Sequence, residues 1–270
     1  MDSAKINGLT VFTIATNKYW EYFLHLLPNL RDSVNPDFDI QVIVLTNKYP
    51  EGEYPTHLKN LKVLVRQSEY QDWPEVTLLR YGQILKHANL IKFDRFLWID
   101  VDMKFQKEFN PGIFCSGVYL ARHPGYIFSR SGFMKLSAGE KWDFIRERVR
   151  LAQKIQFSRG AWEDNPISTA NVAPPKRKSY VHGAVWGGLT TSVLHMSEVL
   201  NTRICQDLTV PFVAKWHDES HLNWYHANYP QELLPRHFSG VLNHWTSEPS
   251  KSTVISLNKE TLDLELGIES

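Results

Sequence analysis

Strand-like and helix-like runs alternate through the first hundred residues, and this alternation narrows the possible folds more than any other property of the chain. Residues 9–15 are a run of β-branched and apolar side chains. Residues 18–30 then set Tyr19, Phe23, Leu26, Leu27 and Leu30 at helical spacing. Residues 41–46 read as a second buried strand, closed by Asn47 and Pro50, and residues 61–65 as a third. Leu78, Tyr81, Leu85 and Ala88 predict a helix over about 75–91, and residues 96–99 form a fourth, wholly apolar strand. Strands separated by helices build parallel βαβ units. The expected class is therefore α/β, with a Rossmann-like, mostly parallel central sheet flanked by helices. Ligands of such sheets bind beyond the carboxyl ends of the strands.

The second half is less regular. Residues 140–155 carry a charged, amphipathic helix pattern, and residues 165–179 read as a Pro-rich, basic surface loop. Val193, Met196, Leu200 and Ile204 mark a further helix over 190–206. No repeat or linker divides the chain, which reads as one domain of 270 residues. With 43% hydrophobic residues it can fill a large core, which excludes disorder and disulfide miniproteins. Lys and Arg number 30 against 29 Asp and Glu, with no block of like charge, so no nucleic-acid partner is expected. Cys115 and Cys205 are too few to staple the fold and are expected as reduced thiols packed in the interior. No run approaches 18 apolar residues and residues 1–10 lack a signal pattern, so the expectation is a soluble, cytoplasmic protein without membrane insertion.

Asp100 and Asp102 follow the apolar run 96–99 and so emerge where the ligand crevice of the sheet should lie. Residues two apart share a face of an extended chain, and two adjacent carboxylates repel unless a cation relieves them. Carboxylate and phosphate oxygens together suit a hard divalent ion such as Mg²⁺ or Mn²⁺ holding a diphosphate. Turn formation after a strand is the plain alternative.

A second constellation is Trp216, His217, Asp218, Glu219, Ser220, His221, Leu222 and Asn223, six polar groups in eight residues. His217 and His221 have the spacing of a helical zinc pair, but the metalloprotease pattern needs Glu directly after the first His, where this chain has Asp218. The other reading makes Asp218 and Glu219 working carboxylates, one gripping hydroxyls and one beside an anomeric carbon. Trp216 offers either a stacking face for a sugar or a core-edge indole. Finally, His182, Gly183 and Ala184, with Gly187 and Gly188, allow either close backbone approach of a ligand or simple turn chemistry.

At these segments the chain resembles the family 6 glycosyltransferases, the group of the ABO blood-group transferases and the α1,3-galactosyltransferases. The matching residues are Asp100 to Met103, His123 to Tyr126, His182 to Ala184 with Gly187 and Gly188, and Trp216 to Asn223. Weaker matches are Phe12 to Ile14 with Tyr19, and Trp73 with Glu75 to Thr77 and Arg80. The resemblance implies a GT-A fold and metal-dependent, retaining transfer of galactose or N-acetylgalactosamine from a UDP-sugar to a galactose 3-hydroxyl of an oligosaccharide acceptor. It divides the domain into a nucleotide-binding half at about 1–105, a donor-sugar and acceptor half at about 106–250, and a tail at 251–270.

Carried over by position, Phe12, Ile14 and Tyr19 would hold the uridine, and Arg80 the donor or nucleotide. Asp100 and Asp102 would bind Mn²⁺ or Mg²⁺, with Asp100 and Val101 also against the nucleotide sugar. His182, Gly183 and Ala184 would select the donor sugar, and Asp218 would bind its hydroxyls. His123 and Trp216 would line the acceptor site with Glu219, itself the candidate nucleophile or oxocarbenium stabiliser. Ala184 with His182 looks like the galactosyl enzymes, which favours UDP-galactose. Gly183 departs from their pattern and keeps UDP-N-acetylgalactosamine as the alternative.

Four departures bear on these expectations. Residues 129–161 are longer than the family's usual connection. Lys176, Arg177 and Lys178 replace an acidic tripeptide before the donor triplet. The family's basic C-terminal lid has only Lys251 and Lys259 as candidates. Both Asp residues stand where many bacterial members carry Asn-x-Asn, and without an anchor the chain looks like the microbial or viral forms. A binding protein that kept the cleft and lost turnover is the non-enzymatic alternative.

Overall fold

The computed structural model describes residues 7–68, 73–126, 160–177, 179–229, 231–242 and 249–268, with 138, 141–142 and 145 besides. The helix expected over 140–155 and most of the 129–161 stretch lie outside them.

The first strand, β1 (Gly8–Ile14), runs into α1 (Tyr19–Ser33), and β2 (Asp39–Thr46), β3 (Gly52–Tyr54) and β4 (Leu61–Gln67) follow. Next come α2 (Glu75–Leu78), α3 (Arg80–Lys86), β5 (Arg95–Ile99), β6 (Met103–Phe105) and β7 (Val118–Arg122). The remainder is β8 (Val181–Leu189), α4 (Thr190–Thr209), α5 (His217–Asn228), β9 (Glu232–Leu233), β10 (Ser239–Val241), β11 (Val254–Ser256) and α6 (Lys259–Leu266). The main sheet has the order β3-β4-β2-β1-β5-β8-β7-β9, and β10-β11-β6 form a small second sheet. Strands β4, β2, β1 and β5 are parallel, as the alternation predicts, whereas β8 runs antiparallel between β5 and β7. This mixed α/β architecture is consistent with a GT-A fold.

Both faces of the sheet are covered, which explains the unbroken apolar runs. Val11, Leu97 and Ile99 enter one core with α1, while Phe12, Ile43, Phe96 and Trp98 enter the other with α3 and α4. On α4 the buried stripe is Val193, Met196, Leu200 and Ile204, as the spacing predicts.

Three expectations are corrected. The helix over 75–91 is interrupted at Leu79, whose φ of −87° and ψ of +3° leave the helical range, and the second piece ends at Lys86. Leu85 and Ala88 are only partly buried. Cys115 and Cys205 are exposed, not interior; Cys205 follows Ile204 and so turns away from the α4 stripe. Gly187 and Gly188 serve packing within the sheet, since a Cβ on Gly188 (φ +150°) would lie 2.3 Å from the Gly117 carbonyl. No described helix is long and apolar enough to cross a membrane.

Candidate active site

The neighbours of β1 in the sheet are β2 on one side and β5 on the other, so chain connections diverge at their carboxyl ends. A cleft of about 380 Å³ opens there, lined by Ile14, Tyr19, Trp73, Thr77, Arg80, Asp100, Val101, Asp102 and Lys259 among others. The antiparallel pairing of β8 with β5 sets Ile99 against Val185, and the Asp100 N–H then donates to the Ala184 carbonyl (2.9 Å). Register alone thus brings residues 182–184 beside the acidic pair.

Arg80 is the hub. It is 3% exposed, and its guanidinium lies 4.5 Å over the Trp98 ring. Nη1 donates to the Gly183 carbonyl (2.9 Å) and is 3.5 Å from Asp100 Oδ1, while Nε donates to the Thr77 carbonyl (3.1 Å) and is 3.2 Å from Asp218 Oδ2. A buried guanidinium needs such compensation, and two carboxylates and two carbonyls supply it.

The carboxylates answer to burial. Burial lifts Asp100 to about 6, with the Asp102 charge adding to it and Arg80 opposing, and lifts Asp218 to about 7 against Arg80. Glu219 is also raised by burial, opposed by His182 and by the Gly183 N–H, which donates to its Oε2 (2.7 Å). A Cβ on Gly183 would lie 3.3 Å from that oxygen and 3.4 Å from Asp218 Oδ2, so Gly183 is where the backbone approaches both carboxylates closely.

Asp218 and Glu219 occupy the first turn of α5, where the helix dipole favours negative charge. Ser220 Oγ accepts the Trp216 N–H (2.9 Å), and His217 has a left-handed φ of +42°, so the entry turn is tightly specified. Asn223 binds both the N–H and the carbonyl of Val181, tying α5 to β8. His221 is fully buried and faces Asp207 on α4 (3.6 Å), while His217 packs against Trp73 (ring centroids 4.4 Å). Neither belongs to any convergent group of three metal ligands among the described residues, so the zinc pair finds no support. The group that does converge is His123, His182 and Glu219, whose ligand atoms lie within 4.8 Å of one another.

Asp100 and Asp102 fit a hard cation. They offer only oxygen ligands, and the position already draws a positive charge, the Lys259 ammonium 3.5 Å from Asp102 Oδ2. Lys259 is delivered by α6, whose Asp263 pairs with Lys18 (2.8 Å) and accepts from the Tyr22 hydroxyl (2.5 Å). The tail thus contributes directly to the cleft. Its approach to α1 bridges more than 240 residues of chain, which no local pattern signals.

The remaining expected residues fall in three places. Ile14, Tyr19 and Val101 line the cleft. The Phe12 side chain is fully buried, stacked on Phe96 and Trp98, which leaves only its backbone to meet a ligand. His123 and His182 meet edge-on at 4.9 Å beyond Arg80, and Trp216 is 47% exposed. Tyr180, buried beside Glu219, was not anticipated; burial and that carboxylate push its phenol well up.

Residues 151–251 match the sequence model of glycosyltransferase family 6. The chain is 26% identical over 221 residues to globoside alpha-1,3-N-acetylgalactosaminyltransferase 1 of Canis lupus familiaris, covering 80% of this chain and 55% of that protein. It is 24% identical over 254 residues to the O-antigen biosynthesis glycosyltransferase WbnI of Escherichia coli, covering 93% and 95%. Histo-blood group ABO system transferase 2 of Rattus norvegicus is 26% identical over 223 residues, covering 81% and 58%. The chain therefore spans little more than half the length of these mammalian relatives.

Proposed function

We propose that this chain, which is similar to the family 6 glycosyltransferases, works on a nucleotide sugar and a glycan acceptor and transfers galactose from UDP-galactose to a galactose 3-hydroxyl, in α1,3 linkage with retention and with Mn²⁺ or Mg²⁺ bound. The observation that carries this reading is Arg80, a single buried cation joining Asp100 of the cleft to Asp218 beside Glu219. That geometry supports a nucleotide diphosphate on one side of the guanidinium and a sugar on the other.

In this reading Tyr19 and Ile14 flank the nucleoside, and Asp100 and Asp102 hold the metal. A bound divalent ion neutralises charge on a leaving diphosphate. Arg80 and Lys259 add fixed positive charge on the same side of the scissile bond. Asp218 grips donor hydroxyls, and Glu219, fixed by the Gly183 N–H, presents its carboxylate to the anomeric carbon. Covalent capture and ion-pair stabilisation require the same carboxylate. His123 and Trp216 then border the acceptor.

Ala184 favours the unsubstituted galactose, because its methyl takes room that an N-acetyl group would need; such a step discriminates by roughly 1–3 kcal/mol. UDP-N-acetylgalactosamine is the second reading, favoured by the N-acetylgalactosaminyltransferase named among the relatives. The test is UDP release from both donors, with and without Mn²⁺, over a panel of galactose-terminated acceptors. Metal-dependent turnover of one donor is expected, and Glu219→Gln should keep UDP binding while losing roughly three orders of magnitude in transfer. UDP binding with no transfer from either donor would favour a binding protein that has lost turnover.

A further inference from the structure

Beyond the two aspartates, the protein holds another set of metal-ligating groups of different chemistry. His123 follows β7, His182 lies in β8 and Glu219 opens α5, and their ligand atoms all fall within 4.8 Å of one another. We propose that His123, His182 and Glu219 form a capture site for a borderline divalent ion of the zinc class, and that occupancy blocks transfer. Two imidazoles and one carboxylate are the donor set of an open zinc site, with a fourth position for water, whereas Mn²⁺ and Mg²⁺ prefer the all-oxygen pair at Asp100 and Asp102. Ligand atoms around tetrahedral zinc stand roughly 3.3 Å apart, given metal–nitrogen distances of about 2.0–2.1 Å. Small side-chain rotations therefore suffice to close the set.

The surrounding contacts favour two of the three ligands and tax the third. His182 Nδ1 lies 3.1 Å from Ser239 Oγ, a partner that can accept the Nδ1 proton and orient Nε2 toward an ion. Glu219 is held through Oε2 by the Gly183 N–H, and its carboxylate retains further lone pairs. His123 Nδ1, by contrast, accepts the Gly125 N–H (3.0 Å), which keeps the ring proton on Nε2. Binding through Nε2 moves that proton to Nδ1 and gives up the Gly125 hydrogen bond. The site is thus a reversible trap, not a structural zinc centre. Its consequence for activity rests on the function proposed above, because the ion would engage Glu219 and His123 together.

Cobalt(II) titration of the full chain reads the site directly, with no need for turnover. One equivalent of Co²⁺ should give the intense visible bands of a four-coordinate ion, displaced by Zn²⁺; a six-coordinate oxygen site such as the aspartate pair absorbs only weakly. His123→Gln and His182→Gln should each abolish those bands while far-ultraviolet circular dichroism and an unchanged Tm, measured separately, show that the fold persists. In the transfer assay, Zn²⁺ should inhibit at micromolar concentration in the presence of excess Mn²⁺, with the acceptor protecting. Absence of four-coordinate bands in the unmodified protein, or their survival in both variants, overturns the site. Bands without zinc inhibition overturn the block, and bands in a protein that transfers neither sugar leave the site standing while the proposed function falls.

Discussion

Replacing Arg80 by Met tests whether one guanidinium holds the centre together. The substitution keeps the apolar stem but removes the charge that faces Asp218 at 3.2 Å and Asp100 at 3.5 Å, and the donor to the Gly183 carbonyl at 2.9 Å. Asp218 is 5% exposed, so its carboxylate is left buried without a counter-charge. Removing one partner of such a pair typically costs about 3–5 kcal/mol. At an unfolding entropy of about 2.1 cal/mol/K per residue, a chain of this length loses roughly 5–9 °C in Tm.

The loss should depend on pH in a defined direction. Asp218 already sits at about 7 in the folded protein, raised by burial, and loses its main opposing influence with Arg80. Its folded pKa then rises further above the unfolded value, so the folded variant keeps a proton that the unfolded chain releases. Stability from this group therefore grows as pH falls from above 7 toward 4. The Arg80→Met deficit, measured by urea unfolding followed by tryptophan fluorescence, should be larger at pH 8 than at pH 6. Adding Asp218→Asn should recover part of the deficit at pH 8. A deficit below about 1 kcal/mol, smaller than a broken buried pair allows, would refute the role given to Arg80, as would one that is equal at the two pH values.

Asp102→Asn should raise the Mn²⁺ concentration needed for nucleotide binding by about ten-fold or more, read by calorimetry; an unchanged requirement would remove Asp102 from the metal site. Gly183→Ala, whose Cβ would meet Glu219 at 3.3 Å, should lower kcat by about ten-fold with little change in Tm, and wild-type kcat would show that Glu219 is free to shift. Burial, with His123 adding, lowers His182 to about 3, and burial lowers His221 to about 4 against Asp207, so both stay neutral in the fold while the unfolded chain takes up protons below about 6.5. These two groups cost stability as pH falls from 6.5 toward 4. Asp100 and Asp218 oppose them over the same range, so His221→Gln should flatten the acid loss and Asp218→Asn steepen it in pH-dependent unfolding.

Much of the first hundred residues was legible in order along the chain. Buried strands announce themselves as apolar runs, and residues just beyond them fall at the sheet's carboxyl edge, so Asp100 and Asp102 could be placed from local pattern. The block from Trp216 to Asn223 was legible as dense polar chemistry, yet its division of labour was not. Ser220, His221 and Asn223 turned out to serve the turn, the α4 contact and the β8 tie, leaving Asp218 and Glu219 for the site. The two cysteines misled because a thiol's hydropathy does not say which side of a helix it occupies.

Local periodicity and residue chemistry, which act over a few residues, specified the strands, the α4 stripe, the acidic pair and the dense polar block from Trp216 to Asn223. Convergence required chain segments far apart in sequence. Arg80 meets Gly183 because antiparallel β8 carries residues 182–184 past Asp100. Lys259 reaches Asp102 only because Asp263 anchors the final helix to Lys18 and Tyr22. Such contacts follow from which surfaces pack together and from the pairing that a buried charge demands, and neither leaves a periodic trace along the chain.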